Sequence, residues 1–296
     1  MSIQTLILLG ANLSIFLTVA TVGMGTAGAD LVYVLGKPRQ LARSLLAMNI
    51  LGPVIAIAVC KTFPLHPAVK VALVTLSISP VNNLFLHDIL PLVAAGRAAY
   101  AYGLFFASTV LSVVLTPLAV EVIELIFGGH IHVNPLAVAQ VVVGTVLLPL
   151  GIGLAIGRRW PGSRRWIPSI QKVSMLVLVA CGVVIIAAAW SVMASVVRRG
   201  TLTAVVVTAL LGLAAGHLLG GPEEDGRTTL AYATVSRHPG VAIALASLTD
   251  QRLAPIGVLV AFLMSTLALV PYTLWRKRRR AAGPPTGVRP PARVEA

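Results

Sequence analysis

The chain has 296 residues, of which 57% are hydrophobic and only 11% are charged. A soluble core cannot bury that share of apolar side chains, so the composition excludes a soluble globular protein and predicts an all-α polytopic membrane protein. The net charge of +14 is compatible with nucleic-acid binding, but the basic residues form no folded basic surface. We therefore predict the lipid bilayer, and no nucleic acid, as a partner.

Apolar runs separated by short polar segments predict about nine membrane spans. Their approximate ranges are 3–24, 41–60, 68–95, 98–127, 134–157, 167–190, 202–219, 228–247 and 253–275. We expect residues 1–275 to form a single transmembrane domain. Residues 276–296 are basic and rich in proline, which predicts a disordered tail.

Lysine and arginine residues are unequally divided between the two predicted membrane faces. Of the 23 such residues, 17 lie on one face, five lie on the other, and Arg237 lies inside a span. Cytoplasmic loops are the more basic ones. The chain is therefore predicted to lie in a bacterial-type inner (plasma) membrane, with its N-terminus outside and its C-terminus in the cytoplasm.

The eighth span is interrupted at its centre by Ser236, Arg237, His238, Pro239 and Gly240. Proline lacks a backbone donor and glycine is flexible, so the helix should break there. A buried arginine is costly in a bilayer, and broken backbone is tolerated only where protein or a water-filled cavity covers it. These features predict a binding site near the middle of the membrane.

The third span contains a matching interruption, with Pro80, Asn82, Asn83, His87 and Asp88. If one leading helix is missing, both interrupted spans become the fourth helix of an inverted five-helix repeat. Interrupted helices at matching places in two inverted halves are typical of secondary transporters, where they bind the substrate.

The roles of the polar residues of the breaks are open. Arg237 binds the anionic group of a substrate, forms an ion pair with Asp88, or does both in alternation. His87 and His238 either carry protons or are hydrogen-bonded packing residues. The two asparagines either donate to substrate or satisfy the interrupted backbone. No grouping of residues predicts a metal site.

The segment GMGTAGADLVYVLGKPRQLARSLLAMNILGP, residues 23–53, resembles the opening signature of the bile acid:sodium symporter superfamily. Ser79-Pro80 with the later Leu115-Thr116-Pro117 resembles the first crossing helix and its successor, and residues 236–246 resemble the second crossing helix. The resemblance covers about residues 13–275. It implies a core domain of spans 2–4 and 7–9, a panel domain of spans 1, 5 and 6, and transport of organic anions by alternating access.

Several positions depart from the family pattern. Placed on this resemblance, the sodium-binding glutamate falls on Ala233, a glutamine falls on Arg237 and an asparagine on His238, while a second glutamine falls on Met48. Sodium needs several oxygen ligands, and an unpaired guanidinium repels a second cation. We therefore expect no cofactor, with sodium possible but without its usual glutamate ligand.

These observations predict a secondary active transporter of a small organic anion, and not an enzyme. A membrane sensor that binds without transporting is one alternative. An intramembrane enzyme using Ser236 and His238 is another, although neighbouring residues on an extended break point apart and no third orienting group is evident. The sequence predicts neither the substrate nor the oligomeric state.

Overall fold

A computed structural model of the protein describes residues 3–26, 33–82, 84–93, 98–126, 134–197 and 199–281. Within these ranges the regular elements are helices, joined at one point by an isolated β-bridge. Six of the described helices are long and apolar enough to cross a membrane. The structure confirms the predicted class, an all-α polytopic membrane protein.

The described helices follow the predicted apolar runs in order. In the first half they are α1 (Ile3–Gly25), α2 (Pro38–Thr62), α3 (Pro67–Ile78), α4 (Leu84–Ile89) and α5 (Ala98–Ile126). In the second half they are α6 (Leu136–Arg159), α7 (Ile167–Val196), α8 (Arg199–Leu219), α9 (Glu224–Val235), α10 (Pro239–Ser247) and α11 (Ala254–Ala281). The third and eighth predicted spans are each divided into two short helices, at the predicted breaks.

Helix α1 packs closely against α6 and along α7. A Cβ atom on Gly153 would lie 1.9 Å from the carbonyl oxygen of Ala20, and one on Gly157 would lie 2.5 Å from that of Met24. The two glycines are four residues apart on one face of α6, the spacing that lets helix backbones approach in a bilayer. Because α7 is largely exposed, it forms an outer, lipid-facing surface.

A second group of helices surrounds the broken segments. Helix α3 packs against α2, α10 and α11, while α8 packs against α2, α9 and α11. These helices belong to the predicted core, and α1, α6 and α7 to the predicted panel. That the two groups move relative to each other stays a prediction.

The predicted boundary of the C-terminal tail is wrong, because α11 continues through Ala281. The side chain of Arg276 is 1% exposed, and its Nη1 donates to Oε1 of Glu224 at 2.7 Å. This ion pair connects the end of α11 to the start of α9. The rest of the predicted tail, 282–296, lies outside the described residues.

Candidate functional site

The two breaks meet and are hydrogen-bonded to each other. Val81 and Arg237 form an antiparallel β-bridge. The backbone N–H of Asn82 donates to the carbonyl oxygen of Ser236 at 2.8 Å, and the N–H of His238 donates to that of Pro80 at 2.9 Å. Each interrupted helix therefore supplies partners for backbone groups that the other leaves unpaired, which confirms that the two breaks cross.

Two hydroxyl groups of helix α5 form hydrogen bonds with the backbone of the first break. The Thr116 hydroxyl donates to the carbonyl oxygen of Ile78 at 3.1 Å. The Ser108 hydroxyl accepts a hydrogen bond from the N–H of Val81 at 3.1 Å. Since the N–H of Asn82 is turned toward Ser236, Ile78 has lost the donor that a continuous helix would provide. The sequence alone did not predict either hydroxyl contact.

Asn82 satisfies backbone groups at the start of α4. Its side-chain Oδ1 accepts from the N–H of Leu84 at 3.1 Å, and its carbonyl oxygen accepts from the N–H of Phe85 at 3.1 Å. Of the two interpretations left open for this asparagine, the structure shows the second: its side chain satisfies a backbone group of the interrupted helix. Asn83 lies outside the described residues.

The guanidinium of Arg237 is buried at the crossing, with the side chain 3% exposed. Its Nε donates to the carbonyl oxygen of Thr234 at 3.1 Å, and Nη1 donates to that of Ser79 at 3.0 Å. Nη2 donates to the carbonyl oxygen of Met48 in α2. One cation thus joins three segments of backbone: the end of α9, the first break and the middle of α2.

The Met48 carbonyl is free to accept because α2 widens into a π-helical turn over Leu46–Leu51. The N–H of Gly52 donates to Ala47 rather than to Met48. The next donor along the chain would be residue 53, but Pro53 has no N–H. A proline five residues after a buried position is therefore the sequence signal that identifies this acceptor.

An ion pair between Arg237 and Asp88, one of the interpretations left open by the sequence, is not formed in the structure described. Asp88 Oδ1 lies 3.2 Å from Nδ1 of His87, and both side chains are exposed, at 44% and 80%. The side-chain hydrogen bonds of Arg237 go to backbone carbonyls, and within the described ranges no carboxylate pairs with it. The crossing helices are held together by backbone dipoles instead of a charge pair.

His238 caps α10, whose first residues are Pro239 and Gly240. Its Nδ1 accepts from the N–H of Val241 at 3.3 Å, so Nε2 carries the proton of the neutral ring. Nε2 is buried and has no partner among the described residues. Ser236 is also buried, and its backbone carbonyl bonds to the first break. Proton transfer by His238 stays a prediction.

A cavity of about 840 Å³ separates α1 and α7 from α4 and α5. Its polar lining combines hydroxyl, amide, imidazole and ammonium groups from Thr18, Thr21, His87, Gln171 and Lys172. Of these residues, the sequence singled out only His87. The others could not be found without knowing which faces of α1 and α7 turn toward the core.

A second cavity, of about 500 Å³, lies among α3, α5 and α10 and includes Glu124 in its lining. The larger cavity includes Tyr102 of the same helix α5. At 1.5 Å per residue, the two positions are ~33 Å apart along α5, close to the thickness of a bilayer. The cavities therefore lie toward opposite membrane faces, with the crossing of the breaks between them.

A family model described as the Sodium Bile acid symporter family matches residues 12–196. The chain belongs to the sodium bile acid symporter family. Members of this family are transporters, which is consistent with an integral membrane protein that takes a small organic substrate. No curated protein matches the sequence.

The family match includes the first break but ends before the second, so Arg237 lies outside it. Position 233, where the family resemblance places a sodium-binding glutamate, is a fully buried alanine. Three carbonyl oxygens at the crossing accept hydrogen bonds from the Arg237 guanidinium and are therefore not available to a second cation. The described residues at the crossing therefore do not fit a sodium ion beside this arginine.

Proposed function

We propose that this member of the sodium bile acid symporter family is a secondary active transporter of a small organic anion. The observation that carries the proposal is the cavity of about 840 Å³ between α1, α7 and the core helices. Ligand pockets of ~300–1,000 Å³ with a few polar groups in an apolar lining are typical for small organic molecules. Lys172 supplies the positive charge for an anion, and Thr18, Thr21 and Gln171 supply hydrogen-bonding groups.

The proposed transport cycle exposes the substrate alternately to the two cavities. The larger cavity lies at the basic end of the protein, where Nη1 of Arg280 donates to the carbonyl oxygen of Pro91 at 3.2 Å. Pro91 is one of the residues that line this cavity. The positive-inside rule supports a cytoplasmic location of this end in the inner membrane, so in the proposed cycle the larger cavity faces the cytoplasm.

Sodium coupling is not part of the proposed mechanism. The buried Ala233 offers no carboxylate, and the fixed charge of Arg237 opposes a second cation at the crossing. We expect uptake of the anion to be unchanged when sodium is replaced by choline. Whether protons are coupled is tested by the same assay with a pH gradient, for which the unpaired Nε2 of His238 is the candidate group.

Uptake into proteoliposomes tests the function, with a labelled bile acid and a panel of short-chain carboxylates as probes. Lys172→Gln should raise KM about 2- to 5-fold, the effect of losing one exposed charge. Lys61→Gln is the matched control, because Lys61 is exposed at the end of α2 and lines neither cavity described above. Binding of a probe without flux would indicate a sensor rather than a transporter, and chemical turnover of the probe would indicate an enzyme.

The proposed orientation is tested with single cysteines in a chain whose Cys60 and Cys181 are replaced by serine. Thr62→Cys, at the exposed end of α2, should react with an impermeant thiol reagent on intact cells. Gly162→Cys, in the exposed segment between α6 and α7, should react only after the cells are opened. The reverse pattern would contradict the orientation without affecting the proposed transport.

A further inference from the structure

A cavity of about 400 Å³ lies between the start of α2 and the turn that joins α8 to α9. Its lining includes three basic side chains, those of Lys37, Arg39 and Arg43, and one carboxylate, that of Glu223. Among the described residues the lining therefore has a net charge of +2. The cavity shares no lining residue with the larger one that contains Lys172, and its residues take no part in the crossing of the breaks.

The basic side chains repel one another and are unfavourably placed on their helix. Arg39 and Arg43 are four residues apart on one face of α2, where like charges destabilise a helix. Arg39 also belongs to the first turn of α2, which contains no acidic residue, so it lies at the positive end of the helix dipole. An anion bound between these side chains would offset both costs.

The opposite wall of the cavity is a tight turn rich in glycine. Gly221 has a φ of 92°, a left-handed conformation that glycine adopts without strain. A Cβ atom on Gly220 would lie 2.3 Å from Cα of Arg227, so the turn packs directly on the start of α9. Nη1 of Arg43 lies 3.6 Å from the position that a Cβ atom on Gly221 would take. The turn therefore forms a defined wall next to this arginine.

The cavity lies at the basic end of the protein. Its Glu223 is the neighbour of Glu224, whose carboxylate pairs with Arg276 at the end of α11. In the orientation proposed above this end is cytoplasmic, and basic pockets between membrane helices on that side are typical binding sites for phosphate-bearing headgroups. A phosphate monoester carries nearly two negative charges, close to the charge needed to balance the lining, and its oxygens match the planar guanidinium of arginine.

We infer that this cavity binds a phosphate group, which contacts Arg39 and Arg43 and connects the start of α2 to the turn before α9. The group belongs either to a free phosphate or to the headgroup of an anionic phospholipid, because both present the same oxygens to the cavity. The inference is independent of the proposed transport, and only the cytoplasmic location of the site rests on the proposed orientation.

Isothermal titration of the full chain, purified in detergent, tests this inference at constant ionic strength. The probes are inorganic phosphate, a soluble short-chain phosphatidylglycerol and the matching phosphatidylcholine. Arg43→Gln should weaken the binding of inorganic phosphate by about 5-fold, as expected for the loss of one exposed charge pair. Glu223→Gln should strengthen it, because the lining loses its carboxylate.

The two sources of phosphate are distinguished by their relative affinities. Tighter binding of phosphatidylglycerol than of inorganic phosphate would support the site and identify a lipid headgroup as its ligand. Equal or weaker binding of phosphatidylglycerol would support the site and identify a free phosphate. Phosphatidylcholine bound as tightly as phosphatidylglycerol would show that the acyl chains are recognised instead, and would overturn the inference.

Arg158→Gln is the matched control, because Arg158 is also an exposed arginine, near the end of α6, and lines none of the cavities described. It should bind phosphate as the wild type does. Arg43→Lys keeps the charge and should retain most of the affinity, which separates the loss of an anion site from a folding defect. If Arg43→Gln cannot be purified, Arg39→Gln takes its place. An equal loss in the control, or no binding of either phosphate probe by the wild type, would overturn the inference.

Discussion

The carbonyl oxygen of Met48 in α2 accepts a hydrogen bond from the guanidinium of Arg237, which lies between α9 and α10. The contact depends on Gly52, because a Cβ atom at that position would lie 3.1 Å from Nη2 of the arginine. Any larger residue must displace a side chain that three carbonyls hold in place. The crossing of two helices is thereby fixed to a third.

Gly52→Ala is therefore expected to lower the stability of the wild type, although alanine favours a helix by up to ~1 kcal/mol over glycine. In the Arg237→Ala background the same change should raise stability, because the obstructing atom is gone. The two substitutions should be coupled by about 1–2 kcal/mol in a double-mutant cycle measured by thermal unfolding. Strictly additive effects would show that the close approach does not constrain the arginine.

Thr116→Val removes the hydroxyl that donates to the Ile78 carbonyl and keeps the shape of the side chain. A buried acceptor without a donor costs about 1–3 kcal/mol, so the Tm should fall. Thr266→Val is the control, since that hydroxyl is exposed and bonds within its own helix to Phe262. Equal changes in the two variants would mean that the first break does not need α5.

Gly153→Ala should separate α1 from α6, because the new methyl group would lie 1.9 Å from the carbonyl oxygen of Ala20. Forced overpacking of this kind typically costs about 1–3 kcal/mol. Gly151→Ala, two residues earlier, is the control, because its Cβ would meet no atom within 4 Å. It should be neutral or slightly stabilising, and a comparable loss from both changes would contradict the close packing of the two helices.

Arg276→Gln should destabilise the end of α11 by about 1.5–3 kcal/mol, since a buried side chain loses its charge-assisted bond to Glu224. Lys277→Gln, at the exposed neighbouring position, should have no measurable effect. Limited proteolysis gives a second measurement: the Arg276 variant should be cut before Ala281 faster than the wild type. If both variants resist proteolysis equally, Arg276 contributes little to the stability of the end of α11.

The parts of the fold that depend on local chemistry could be predicted from the sequence. Pro80 and Pro239 each remove a backbone donor, so the two breaks were found at the residues where the helices end. The crossing followed from the matching positions of the breaks and from the family resemblance. The all-α class followed from composition alone.

The contacts that complete the site depend on tertiary structure and could not be predicted. Arg237 was expected to bind a substrate or Asp88, because a buried positive charge is usually paired with a negative one. Its actual partners are carbonyl groups, which every residue has, and the one signal in the sequence, Pro53, marks only the acceptor on Met48. Lys172 and Arg276 were missed for a related reason: their roles depend on the rotation of α7 and on a carboxylate 52 residues earlier in the chain.

The reciprocal bonds between the breaks also set an order of events during biosynthesis. Asn82 enters the membrane about 150 residues before Ser236 is made, roughly 8–30 s at typical rates of translation. During that interval the polar backbone around Pro80 has no partner from the second break, and the nascent first half depends on water, lipid headgroups or the insertion machinery to cover it. Chains truncated after Gly220 should accordingly be degraded faster in pulse-chase experiments than chains truncated after Ser247, which contain both halves of the crossing.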